Sequence, residues 1–403
     1  MKVVLETLGC KLNQAETESL TWELATAGYE ISSEIEQADI FILNTCTVTN
    51  TADAKSRQRI RQAHKINPDA LIVATGCYAQ RDPDTMAKIP GVGLVVSAEN
   101  KANLVSRLGE ILHIKHNKTR VLAASPSSLR TRAFIKVQEG CNGACSYCIV
   151  PQVRKGETSV PAGHVIEQIK QRETFGFKEI VLTGTKVGCY TYGSADLKTL
   201  LAKILDQTNV PRIRLSSLQP QEISSELLSL WNNHRLLPHF HLALQSGCDK
   251  TLRSMKRRYS LDGYKEIVQG IREIVPDAAI TTDIIIGFPG ETDSLFEESY
   301  RTCKDMQFAR IHVFPYSTRP GTEAALMGDT VPDTIKKERR SKMLALAAQS
   351  VDSFRAAFRG CERPVLWESQ DDRGNWIGWT DNYIMVKRKG DNLANQISPI
   401  RID

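Results

Sequence analysis

Residues Cys141 to Cys148 read C-N-G-A-C-S-Y-C, with three and then two residues between the thiols. Thiolates this close can wrap one inorganic cluster, and cysteine is the usual ligand of iron–sulfur clusters. A four-iron cube has four corners, so Cys141, Cys145 and Cys148 would leave one iron open. An open metal position is where a substrate or cofactor binds. The competing reading is structural zinc. It requires a fourth protein ligand, usually from a second C-x-x-C knuckle, and no nearby His or Cys supplies one. A strand is expected just before the motif, at Ala133–Gln138, and an apolar Ile149-Val150-Pro151 follows it.

Three further cysteines occupy matching positions. Cys10 closes T-L-G-C, Cys46 closes L-N-T-C and Cys77 closes A-T-G-C, each after an apolar run. In a parallel sheet the carboxyl ends of the strands lie along one edge, and ligands bind in the crevice outside them. The three thiols can therefore converge although far apart in sequence. Gly9 and Gly76 would let backbone approach a bulky ligand. Three unrelated buried cysteines remain the alternative, since Cys is often buried.

Elements that would position these groups are legible in outline. In residues 1–114, apolar runs at 2–8, 39–43, 70–74 and 93–96 alternate with helix-like stretches at 13–27, 52–66 and 83–89. Such alternation argues for a parallel sheet covered by helices. Residues 115–132 are polar, Ser-rich and basic, and read as a linker with a solvated face. Across 133–360, strands are expected at 133–138, 179–182, 211–215, 239–244, 279–286 and 309–314, with helices between. The fold class is α/β, with a partial (β/α)6 barrel at its centre. Chemistry in such barrels sits at the strand carboxyl ends. There stand Thr183-Gly184, Ser216-Ser217, Gln245-Ser246-Gly247 and Gly287-Phe288-Pro289-Gly290. Ordinary turn chemistry is the alternative for any one of them. His239 and His241 share one strand face. They read as a satisfied interior pair rather than metal ligands, because no carboxylate or cysteine partner is evident.

Residues 332–359 read as a long helix with a basic run, Lys336 to Lys342, fit for a solvated face or an RNA surface. From Cys361 the pattern becomes short strands at 364–368, 375–380, 383–387 and 396–402, separated by turn signals, which suggests a small β-barrel. Its six Lys/Arg and seven Asp/Glu do not advertise RNA binding. Any RNA contact must come from local placement, such as Lys387-Arg388-Lys389, or from Trp376, Trp379 and Tyr383 stacking on bases. Those aromatics are equally well suited to a core.

The chain has 403 residues, 41% hydrophobic and 24% charged, as globular proteins do. Its net charge of +6 permits an anionic partner without demanding one. No apolar run is long enough for a transmembrane helix and the first residues do not form a signal peptide, so a cytoplasmic protein without membrane attachment is expected. Ten cysteines in a chain of this kind point to metal or catalysis before disulfides.

C-x3-C-x-Y-C resembles the signature of the radical S-adenosylmethionine (SAM) superfamily. In that superfamily the open iron chelates SAM, and one electron splits it to methionine and a 5′-deoxyadenosyl radical. T-L-G-C-K-L-N-Q-A-E, N-T-C-T-V-T and T-G-C-Y-A-Q resemble the three cysteine motifs of the methylthiotransferases. The match runs along almost the whole chain in that family's order. It implies two 4Fe-4S clusters, the auxiliary one on Cys10, Cys46 and Cys77, with SAM at Cys141, Cys145 and Cys148. It implies a radical SAM core at 133–360 and a TRAM-like RNA-binding module at 361–403, where G-W-T-D-N-Y-I-M-V is close to that module's core. L-T-G, L-S-S, L-Q-S-G and G-F-P-G-E resemble the family's SAM-contacting segments. They carry Thr183, Gly184, Ser216, Ser217, Gln245 and Gly287. Tyr147 corresponds to the aromatic beside the adenine. Arg257 corresponds to a base near the SAM carboxylate, which a guanidinium suits.

The segment 151–160 departs from the pattern. It keeps Arg154, Glu157 and Ser159, but has Lys155 where Gly is common and Val160 where Arg is common. The second change removes a charge that could meet a substrate phosphate. The L-G-C-K-L-N-Q opening resembles the branch acting on N6-threonylcarbamoyladenosine beside the anticodon of tRNA. In the implied chemistry, one SAM methylates sulfur on the auxiliary cluster. A second yields the radical that takes hydrogen from adenine C2. An electron donor such as flavodoxin or ferredoxin and a monomeric state are expected. Alternatives are isopentenyladenosine in tRNA or a ribosomal protein as substrate. From another class, the alternative is a non-catalytic RNA-binding zinc protein.

Overall fold

The computed structural model describes residues 1–113, 131–328 and 330–403. The expected linker lies outside the described residues, apart from Thr131 and Arg132, and Arg132 already opens a strand. The chain divides into two compact units.

The first unit holds the N-terminal region together with Glu139–Gly143 and Cys148–Glu157. Its strands are β1 Lys2–Thr7, β2 Glu30–Ser32, β3 Ile40–Thr45, β4 Leu71–Gly76 and β5 Val92–Ser97. They form one sheet in the order β2-β1-β3-β4-β5, and every pair is parallel. β3, the central strand, is buried along its whole length, as expected of a strand covered on both faces. Helices α1 Lys11–Thr26, α2 Asn50–Ile66, α3 Cys77–Arg81, α4 Pro83–Ala87 and α5 Leu104–Ile111 connect and cover the strands. Two apolar cores result. One packs Phe41, Leu43, Ile60 and Ile72; the other packs Val3, Leu24, Ile42 and Leu108. Thr49 caps α2 by accepting from the Ala52 N–H at 3.1 Å. β2 and α5 are not evident in the sequence pattern; the first is three half-exposed residues long.

Sequence patterning puts 139–157 with the barrel, whereas Cys148–Glu157 packs in the first unit. The reason is apolar contact: the short helix α6, Val150–Val153, lies against α3, and Ile149 and Val153 pack with Cys77.

The second unit carries six parallel strand positions. Strands Arg132–Lys136, Glu179–Thr183 and Arg212–Leu215 pair in turn. After a break at Ser216 the third continues as Ser217–Leu218, which pairs with His239–Leu242. Ala279–Ile286 and Arg310–Pro315 complete the arc. These spans agree with the expected ones to within about two residues. Helices Ala162–Thr174, Leu197–Gln207, Leu261–Ile274 and Asp293–Asp305 cover the arc over one large apolar core. Helix Asp333–Ala357 follows, then four antiparallel strands in the order Met385–Arg388, Trp376–Thr380, Glu362–Gln370, Ile397–Arg401. This small β-domain closes over Val365, Trp367, Trp376, Val386 and Ile402.

Candidate functional site

In the first unit, Cys10, Cys46 and Cys77 follow β1, β3 and β4, which are adjacent in the sheet. Neighbouring strands stand about 4.8 Å apart, so three adjacent ends span roughly 10 Å. Two glycines allow the crowding. Gly9 has φ +104°, and a Cβ there would stand 2.6 Å from Cys46 Cβ; Gly76 has φ +95°, and a Cβ would stand 2.5 Å from the Thr45 carbonyl oxygen. Only glycine adopts such backbone at no steric cost. Cys46 and Cys77 are buried, whereas Cys10 is exposed. Burial pushes the Cys46 thiol up to about 12, and the nearby Cys77 and Cys10 push it the same way. Among the described residues, no three His, Cys, Asp or Glu side chains already stand at metal-ligating distance. The donor set still fits a thiophilic cluster: three thiols on one edge, two sheltered from water, beside fixed donors.

Those donors come from buried polar groups, of which the sequence reading names only Arg154, without a role at this trio. Arg154 is buried, and its Nε donates to Cys77 Sγ at 3.2 Å. Its Nη1 donates to Glu16 Oε1 at 2.6 Å and Glu139 Oε1 at 2.5 Å. Its Nη2 donates to Asn13 Oδ1 at 2.8 Å. Lys101 pairs with Glu16 and donates to Asn44 Oδ1 at 3.1 Å. Asn13 in turn donates to the carbonyls of Leu8 and Thr45 at 2.8 and 3.0 Å. Burial favours the neutral form of the Cys77 thiol and Arg154 opposes it. The available signal was Asn13 and Glu16, polar residues three apart on the helix that opens at Cys10.

The C-N-G-A-C-S-Y-C loop is held at several points. In the first unit the Cys141 N–H donates to the Arg154 carbonyl at 3.4 Å, and the Asn142 N–H donates to Glu157 Oε1 at 3.0 Å. In the second, Ser146 donates through its backbone to Met255 O at 3.1 Å and through Oγ to Ser254 O at 2.8 Å. Its carbonyl accepts from the Ala324 N–H at 2.7 Å. Arg257 Nη1 donates to Cys145 Sγ at 3.3 Å, while its Nε donates to Tyr259 Oη at 3.0 Å. Burial works against that charge, but Tyr259, Tyr147 and Cys145 outweigh it, and Arg257 stays charged.

The end of the fifth strand meets Tyr147 of this loop. Tyr147 meets Phe288 edge-on at 6.4 Å, in a cluster with Met255, Tyr316 and Ala324. That contact brings Gly287 close, and its N–H donates to Glu291 Oε1 at 2.9 Å. Thr183 is buried at its strand end, with Gly184 following. Ser216 Oγ is buried without a hydrogen-bond partner among the described residues, a polar atom available to a ligand. Ser217 is exposed. Gln245 has φ +69°, uncommon for a side-chain-bearing residue, and is locked there by backbone bonds with Asp283 and Ile285, each 2.8 Å.

Other candidates resolve differently. His241 Nε2 lies 3.2 Å from Asp283 Oδ2, and its Nδ1 lies 2.9 Å from Thr281 Oγ1. It is thus an interior hydrogen-bonded residue, with a carboxylate partner that the sequence did not reveal. Trp376 belongs to the β-domain core. Tyr383 stacks between Trp379 and His239, at 4.7 and 4.5 Å, with Arg214 over its ring at 4.7 Å. Trp379 and Tyr383 thus pack on neighbouring rings while each stays half-buried. The basic run of the long helix divides: Lys336 and Arg339 are buried, with Arg339 bonded to Glu291 and Asp293, while Lys337 and Arg340 are exposed. Lys387, Arg388 and Lys389 are exposed. Val160 packs on the barrel core and Lys155 is exposed. No helix is long and apolar enough to cross a membrane among the described residues.

The family model described as "Uncharacterized protein family UPF0004" matches residues 2–97, and that of the Radical SAM superfamily matches residues 135–303. The threonylcarbamoyladenosine tRNA methylthiotransferase MtaB of Bacillus subtilis (strain 168) is 36% identical over 99% of this chain and 93% of its own. MtaB of Aquifex aeolicus (strain VF5) is 39% identical over 97% of each chain. The tRNA-2-methylthio-N(6)-dimethylallyladenosine synthase of Endomicrobium trichonymphae is 33% identical over 85% of this chain and 81% of its own. Among solved structures, the radical SAM methyltransferase TsrM from Kitasatospora setae is similar with a TM-score of 0.60 and 14% identity, over 80% of this chain and 76% of that one. That likeness concerns the fold alone.

Proposed function

We propose, since the chain belongs to the methylthiotransferase family of radical SAM enzymes, that it adds a methylthio group to C2 of N6-threonylcarbamoyladenosine at position 37 of tRNA. As a member of that family it is a transferase that works with SAM and 4Fe-4S clusters. The observation that carries the substrate reading is the identity of 36% and 39%, over nearly the full length, to relatives named for that nucleoside. The dimethylallyladenosine synthase likeness, at 31% and 33% identity against 36% and 39% for the two MtaB relatives, supports isopentenyladenosine as the second reading.

Cys141, Cys145 and Cys148 would hold the SAM-binding cluster, and Cys10, Cys46 and Cys77 the auxiliary one. When bound, these groups supply reductive cleavage of SAM and the sulfur that is methylated. The chain's own part is positioning. Arg257 offers a planar fork to the SAM carboxylate and stays charged against burial. Tyr147, braced by Phe288, offers a ring face to the adenine. Ser216 Oγ and the strained backbone at Gln245 offer polar contacts to the rest of the cofactor, with Thr183, Gly184, Ser217 and Gly287 around them. The apolar cluster behind Tyr147 limits water where the radical would form. The domain 361–403 acts as the TRAM-like tRNA holder through Lys387, Arg388 and Lys389, with the anticodon loop presenting its unstacked base. A flavodoxin or ferredoxin supplies electrons, and the enzyme acts as a cytoplasmic monomer.

The test is anaerobic reaction of reconstituted protein with two tRNAs, one carrying threonylcarbamoyladenosine and one isopentenyladenosine, followed by nucleoside mass spectrometry. A methylthio product on the first alone supports the reading. A product on the second alone transfers the function to the second reading.

A further inference from the structure

Arg154 touches residues of both cysteine trios. Its backbone carbonyl accepts from the Cys141 N–H, while its guanidinium donates to Cys77 Sγ at 3.2 Å. The guanidinium is fixed on its other edges by Glu16, Glu139 and Asn13, at 2.5 to 2.8 Å. Ile149 and Val153, just before it in sequence, pack on Cys77. A buried arginine with carboxylate partners has no need of a sulfur contact for its own satisfaction. Lys101 remains on Glu16 if Arg154 is replaced, so that carboxylate would not be orphaned.

We propose that Arg154 is the positioning residue of the auxiliary cluster, holding the Cys77 thiolate and biasing the cluster's one-electron couple toward its reduced form. This rests on the assignment of Cys10, Cys46 and Cys77 to that cluster. Reduction adds negative charge, and hydrogen bonds to ligand sulfurs raise cluster potentials. A cationic donor aimed at a ligand thiolate favours the more negative state more than a neutral donor would. The segment after the SAM-cluster loop thus does its work at the other trio. Its exposed neighbour Lys155, rather than Arg154, is left to face solvent.

The experiment uses full-length protein with Cys141, Cys145 and Cys148 replaced by Ala, so that only the second cluster forms, reconstituted with iron and sulfide. Iron content and the midpoint potential by EPR-monitored titration are compared for this parent, Arg154→Gln and Arg154→Lys. With iron retained, Arg154→Gln should lower the reduced-to-oxidised ratio at the parent's midpoint at least tenfold, a downward shift of about 59 mV for one electron. Arg154→Lys should recover part of it. An unshifted potential in a fully loaded Gln variant overturns the inference. If the Gln variant fails to load, the parent decides. With arginine labelled by nitrogen-15 in its guanidinium, hyperfine coupling from the reduced cluster supports the contact, and its absence overturns it. A parent that binds no iron refutes the cluster assignment itself, which is a different result.

Discussion

Cys46 and Cys145 differ in what their loss should remove. Cys145 accepts from Arg257 in the second unit, whereas Cys46 directly follows β3 of the first unit's sheet. Each substitution by Ala should cost about half of the iron bound by reconstituted protein, on the order of four of eight. Cys145→Ala should abolish 5′-deoxyadenosine. Cys46→Ala should still release it from SAM, yet give no methylthio product. Iron analysis with product chromatography separates the two, and loss of all iron on either change means a single shared site. At this scale the placement of Cys10, Cys46 and Cys77 behind adjacent strands was legible from the apolar runs before them. Arg154 was not, because its meaning depends on Cys77, which lies 77 residues away in sequence. No periodicity reports such a pairing.

At the scale of elements, Glu179 ties the barrel strands to the β-domain. It is fully buried and accepts from Arg212 Nε at 2.7 Å and Arg214 Nε at 2.8 Å. Arg212 also donates to the carbonyls of Pro364, Trp379 and Thr380. Burial alone would raise the Glu179 pKa, but Arg214, Arg212 and Arg132 overcome it and hold the carboxyl far below the usual range. A depressed carboxylate pKa contributes stability above the unfolded value, about 4.3, and loses it as pH falls through the folded value. Glu179→Gln should therefore destabilise the apo-protein at pH 7 by about 3–5 kcal/mol, since it leaves buried arginines uncompensated. The difference from the parent should shrink as pH drops below about 4. Urea unfolding at a series of pH values reads both; a constant difference would show that ionisation of Glu179 is not its source.

The same elements show what periodicity can and cannot report. The strands and most helices appeared where apolar runs predicted them, because burial on both faces leaves a continuous signature. The roles of Trp379 and Tyr383 did not, since an aromatic that stacks on RNA and one that stacks on His239 share the same local sequence. The proposed tRNA contact of the β-domain rests on exposed charge, at Lys387, Arg388 and Lys389. Replacing Lys387, Arg388 and Lys389 together by Ala should weaken tRNA binding and flatten its dependence on log salt by roughly 0.7–0.9 for each phosphate the protein no longer neutralises. Binding isotherms at several salt concentrations measure this. An unchanged slope would place the tRNA surface elsewhere.

For the molecule as a whole, the central claim is that this chain's radical acts at adenine C2. Hydrogen abstraction requires reacting atoms about 3–3.5 Å apart, so only a correctly seated substrate gives up that atom. The direct measurement uses tRNA whose threonylcarbamoyladenosine carries deuterium at C2, reacted with the doubly loaded enzyme and SAM. Mass spectrometry of the small molecules should find that deuterium in 5′-deoxyadenosine, while the methylthiolated nucleoside has lost it. Methylthio product formed with no deuterium in 5′-deoxyadenosine would contradict abstraction at C2.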